Sequence, residues 1–184
     1  GRCIQKPYTK GEMEDYAREL DQRYRHGELY SADCIHFADS LKYYTLRTHR
    51  TVYGGGGIMP DYFVPLDTTK YTAYHRQLAA HSFVINANLT YIDQHRRTLK
   101  KQYADFADFN ARFEIPQAVI DKMVDEAREQ KIVPKDEAEL QQTLPQLRLQ
   151  LKALIARDLW DMSEYFQVMN TQNAIVQRAV QLIQ

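Results

Sequence analysis

Four consecutive glycines, Gly54, Gly55, Gly56 and Gly57, are the most pointed chemical feature of this chain. They follow Arg50-Thr51-Val52-Tyr53 and precede Ile58-Met59-Pro60-Asp61. Glycine admits positive φ and close approach by other groups. Such a run serves either a phosphate cradle or a structural turn. A phosphate loop needs Gly-Lys-Ser/Thr opening a helix, and a dinucleotide loop needs a helix straight after its glycines. Here Pro60 biases Met59 away from helix. The segment Gly54–Gly57 with Pro60 and Asp61 therefore reads as a structural turn, with at least one glycine at positive φ.

The other chemistry-bearing residues are dispersed. Cys3 and Cys34 lack metal-site and Cys-x-x-Cys spacing, and read as two buried thiols or one disulfide. His75, His81 and His95 are not at the i,i+3 or i,i+4 spacing that joins two ligands on a helix, so no metal site is expected. Arg96, Arg97, Lys100 and Lys101 form a basic cluster near Asp105 and Asp108. A solvated face is the plain reading, and a grip on a peptide carboxylate or phosphate the sharper one. Asn88-Leu89-Thr90 has the form of a glycosylation acceptor but falls inside a helical pattern. A Ser-Lys mechanism needs a desolvated neutral lysine beside a hydroxyl. The four serines are Ser31, Ser40, Ser82 and Ser163, and neither they nor Lys6 and Lys10 form a recognisable Ser-Lys pair. No catalytic residue and no cofactor is expected.

The elements that would carry these residues change character near residue 66. All seven glycines lie at or before Gly57, and a long glycine-free stretch favours helices. Residues 12–26 fit an amphipathic helix, with Met13, Tyr16, Ala17, Leu20 and Tyr24 on one face and Gly27 beyond its end. Residues 40–48 alternate as a strand does, Thr51-Val52-Tyr53 makes a second strand after a His49-Arg50 turn, and Tyr62-Phe63-Val64 is a third candidate. Beyond residue 66 the pattern is helical. Asp67 or Thr68 caps a helix to about His81. Ile85, Leu89, Ile92, Leu99 and Tyr103 form one stripe. Pro116 opens a helix burying Val119, Ile120, Met123, Val124 and Ala127. A stretch from 136–142 is kinked or restarted at Pro145 and continues through Leu147, Leu151, Leu154, Ile155, Leu159, Met162, Phe166 and Met169. Asn170 or Thr171 caps a last helix burying Ile175, Val176, Ala179, Val180 and Ile183.

The expected fold class is α+β, mostly α, with a small β portion in residues 1–66 and a helical domain in 67–184. The 184 residues carry 24 basic and 24 acidic side chains. Nine of each sign lie in 1–66, so neither half has the charge of a nucleic-acid binder. No apolar run reaches the roughly 20 residues of a membrane span. The chain starts on Gly-Arg-Cys-Ile-Gln without an initiator Met, and is expected to be a fragment of a longer protein.

The dodecamer Arg50–Asp61 resembles a signature near the end of the catalytic core in the C-terminal processing (tail-specific) peptidases. These are Ser-Lys enzymes, usually with a PDZ domain before the core. His49 stands where the family often has Gly. The opening Gly1-Arg2-Cys3-Ile4-Gln5 is similar to the family's strand just after its catalytic lysine. Phe113-Glu114-Ile115-Pro116 and Ala156-Arg157-Asp158-Leu159-Trp160 resemble the C-terminal extension of Bacteroidetes-type members. The resemblance implies a non-catalytic C-terminal portion of such an enzyme, with nucleophile and lysine upstream. It implies protein substrates for the parent and a periplasmic or cell-envelope location. That setting favours a Cys3–Cys34 disulfide if Cys34-Ile35-His36-Phe37 runs beside the opening strand. A β portion taken from a larger sheet would expose an edge and an apolar face, through which chains could associate into a homo-oligomer. The alternative is a stand-alone helical protein-interaction module.

Overall fold

The computed structural model describes residues 11, 13–54 and 61–184. The chain is α+β and mostly α, with eight helices and one two-stranded sheet among the described residues. It divides into two compact units, 1–67 and 68–184.

Among the described residues, the first element of the first unit is α1, Met13–Arg25. Arg18–Glu14 and Arg25–Asp21 pair at i,i+4, and Gly27 follows at φ 82°. Single 3-10 turns follow at Ala32–Cys34, capped by Ser31, and at Asp39–Leu41. The sheet is a short antiparallel hairpin of β1, Lys42–Tyr44, and β2, Thr51–Tyr53, with Tyr43 opposite Val52. The first strand is thus three residues, not the nine of 40–48. The Asp39–Leu41 turn delays its start. Thr45 ends it, accepting the Arg50 amide on its hydroxyl at 3.0 Å while its own N–H bonds the Arg50 carbonyl at 3.0 Å. His49, at φ 49°, turns the chain. Lys42, Tyr43 and Tyr44 are all exposed, so the alternation marked no buried face. Tyr62–Val64 is not a strand.

The second unit holds α2, Ala73–Ala80; α3, Phe83–Gln102; α4, Phe106–Arg112; α5, Gln117–Glu129; α6, Glu137–Leu159; α7, Met162–Asn170; and α8, Ala174–Ile183. The core is built around α6, which packs most extensively on α7 and α3. Leu147, Leu151 and Ile155 on α6 are fully buried with Ile92 of α3, Phe109 of α4 and Ile120 and Met123 of α5. Burying each such side chain contributes about 1.5–3 kcal/mol. Pro116 is the N-cap of α5, and Ile120, Met123, Val124 and Ala127 are buried as expected, while Val119, expected with them, is only half-buried. Pro145 lies inside α6, which is continuous through it.

Several boundaries and faces differ from the sequence reading; Met162 and Phe166, expected to continue the stripe of α6, lie on α7 and are 48% and 53% exposed. The cap of α2 is Thr72, not Asp67 or Thr68, because its hydroxyl accepts the His75 N–H at 3.0 Å. Ile85 and Leu89 are 49% and 47% exposed, and the inward stripe of α3 runs through Val84, Asn88, Ile92 and Leu99. The cap of α8 is Asn173, whose side chain accepts from the Ile175 and Val176 amides. Nothing on α8 is buried, and Ile183 is 83% exposed. No helix among the described residues is long and apolar enough to cross a membrane.

Candidate functional site

The hairpin positions the first residue of the glycine run. Gly54 is buried, and its N–H bonds the Leu41 carbonyl at 2.9 Å, across the sheet from β2. A Cβ there would meet Tyr43 Cε2 at 3.0 Å, so the glycine admits the close approach of the tyrosine ring. Its φ lies outside the left-handed region. The first and last residues of the dodecamer meet, since the Arg50 guanidinium is ion-paired to the Asp61 carboxylate. Gly55, Gly56, Gly57 and Pro60 lie outside the described residues, as do Cys3, Lys6 and Lys10. Cys34 is a free thiol, placed so that a Cβ on Gly27 would stand 3.3 Å from its Sγ.

The serines hold local structure. Ser31 caps a turn, Ser40 sits in one, Ser82 precedes α3 at φ 63°, and Ser163 donates to Glu164 at 2.8 Å. His75, His81 and His95 are not brought together in any metal-binding cluster of described residues. Within the basic cluster, Arg96 is bound to the Asp158 backbone carbonyl, while Arg97, Lys100 and Lys101 are exposed.

A polar joint ties the starts of α2 and α6. Thr143 donates its hydroxyl proton to the Glu139 carbonyl at 2.6 Å. Its 2.6 Å contact with Thr72 must therefore take the Thr72 proton. Thr72 in turn accepts the His75 N–H. The Glu139 carboxylate accepts the Tyr74 N–H at 3.1 Å with one oxygen and the Lys135 N–H at 2.7 Å with the other, and these bonds hold its pKa below the usual carboxylate value. A second joint centres on Asp158. Its carboxylate accepts Asn88 Nδ2 at 2.7 Å and Arg157 Nε at 2.9 Å. Next to it, Trp160 lies over Phe109 and edge-on to Phe106. The segments 113–116 and 156–160 thus serve as framework: Ile115 is buried and its carbonyl accepts Arg148 at 2.9 Å.

The clefts among the described residues of the helical unit include two formed between its helices. One, about 700 Å³, lies among the 113–117 segment, α6 and Gln172. Its cations are committed: Arg148 binds Ile115 and Gln117, and Lys152 donates to the Asn110 carbonyl at 2.7 Å. Burial pushes the Lys152 pKa down, partly offset by Glu114. The other is a groove of about 260 Å³ between α3 and α5. Met123, Val119 and Ala87 supply apolar surface, and Thr90, Gln94, Lys122 and Glu126 supply polar groups. One wall is the Tyr91–His95 pair, stacked with ring centroids 4.3 Å apart. Burial raises the Tyr91 pKa. The i,i+4 spacing of Tyr91 and His95 on one helical face was the signal available in the sequence, which the metal test applied to the histidines passed over.

Residues 74–161 match a family of unknown function (DUF8443). The matched stretch takes in α2 from its second residue, α3 through α6, the Asp158 joint and the whole α3–α5 groove, and leaves out the hairpin, Thr72, α7 and α8. No curated protein and no solved structure matches the chain.

Proposed function

We propose that the chain is the non-catalytic C-terminal portion of a serine-type C-terminal processing endopeptidase. Residues 1–66 would close its catalytic core, and the helical unit would be a scaffold or interaction domain. The observation that carries this reading is the dodecamer 50–61, whose residues 51–53 form a hairpin strand and whose terminal Arg50 and Asp61 are ion-paired. The similar segments 113–116 and 156–160, both part of the helical framework, support it. The parent would cleave proteins in the periplasm or cell envelope, and copies could associate through the β region. The test is peptidase assay of the parent read from the upstream coding sequence, beside residues 1–184 alone. The parent should hydrolyse an unstructured peptide, lose that activity when its upstream serine becomes alanine, and the shorter chain should be inactive. An upstream sequence without a Ser and Lys pair would sink the proposal. A stand-alone helical interaction module is the second reading, favoured by a family match confined to the helical unit. An upstream sequence lacking peptidase motifs would select it.

A further inference from the structure

We propose that the α3–α5 groove is a binding site for one aromatic side chain of a partner peptide, with preference for a ring that carries a hydrogen-bond donor. This goes beyond the peptidase reading and does not depend on it. The volume, about 260 Å³, suits a single ring with its linker rather than a cofactor. Met123 offers a polarizable contact for an aromatic edge. The stacked Tyr91–His95 pair offers a flat wall.

The donor preference follows from the His95 ring. Its Nδ1 is 2.9 Å from the Tyr91 carbonyl, and a carbonyl only accepts, so Nδ1 carries the proton. In the neutral ring Nε2 is then an acceptor, and the described residues give it no partner. A phenol or indole donor satisfies it. The rim favours a peptide over a free phenol. Thr90 and Gln94 form no side-chain hydrogen bond among the described residues, and both can bond amides flanking the ring. Lys122 and Glu126 are 3.8 Å apart, so the rim carries compensating charges and selects no charged ligand.

The test uses the whole chain, with N-acetyl-tyrosinamide, N-acetyl-phenylalaninamide, N-acetyl-leucinamide and phenol as probes. The readouts are the NMR shifts of the Met123 methyl and the His95 ring. The tyrosine amide should bind near 1 mM, a reasonable strength for one ring, and about fivefold tighter than the phenylalanine amide. The His95→Phe variant should keep the stack and lose that fivefold preference. Ala118→Phe, which fills the groove from an exposed position, should abolish binding with the helical circular dichroism unchanged. No shift at 20-fold the expected constant, or leucine amide binding as well as the tyrosine amide, would overturn the site. A preference that survives His95→Phe would overturn the acceptor role. Phenol binding as tightly as the tyrosine amide would overturn the peptide as its source.

Discussion

His75 sits on α2, 5% exposed, with its ring 4.8 Å from Tyr71. Burial pushes its pKa below the ordinary imidazole value of 6.5; the neighbouring Gln150 side chain opposes this in part, and Arg76 adds to it. Between the folded value and 6.5 the unfolded chain binds a proton that the folded chain refuses. This contribution is therefore intact above pH 6.5 and is lost progressively as the pH falls toward the folded value. Urea midpoints at pH 7.5 and 5.5 should show the loss, and His75→Phe should flatten it; an equal slope in the variant would contradict the assignment. Asn88 makes a different use of burial. It is 0% exposed on a face of α3 that is otherwise apolar, and its amide is a donor to Asp158. Asn88→Ala removes a donor from a carboxylate that is itself largely shielded, and should lower stability by about 1–3 kcal/mol in urea titration. Exposed Arg97→Ala should change it little.

Pro145 tests the next scale. It stands in the interior of α6, cannot donate to the Gln141 carbonyl, and is exposed at the edge of the larger cleft. Pro145→Ala supplies the missing donor and should raise stability by about 1–3 kcal/mol. Urea unfolding followed by Trp160, the single tryptophan, would measure it; an unchanged midpoint would mean that the helix carries no strain there. The helices themselves were legible in the residue pattern. The stripe Ile120, Met123, Val124, Ala127 placed α5 and its buried face, and the leucines from 147 to 159 did so for α6. What failed was phase and boundary. Ile85 and Leu89 look like core residues because they are apolar, yet the buried position between them belongs to Asn88, whose partner Asp158 is 70 residues away. The start of α2 at Thr72 depends likewise on a hydroxyl that also engages Thr143. On α8 the apolar face is real but finds no core to join. The groove was illegible for a related reason: its walls come from α3 and α5, and no short motif spans them.

At the scale of the molecule, the division between residues 67 and 68 leaves the helical unit with its own core. Residues 68–184 expressed alone should fold with a single cooperative transition and retain the circular dichroism of a helical protein. A broad, non-cooperative melt would show that the unit needs the preceding residues. How that unit holds together can be followed at one amide. The first N–H groups of a helix have no acceptor within it. On α2 the Tyr74 N–H instead bonds Glu139, 65 residues along the chain at the start of α6. Slowed deuterium uptake at Tyr74 would therefore register the docking of two distant segments, and not the formation of α2 itself. Glu139→Ala should accelerate exchange at Tyr74 selectively, while amides in the middle of α6 keep their protection. That single backbone proton is a clock for the closure of the whole helical unit.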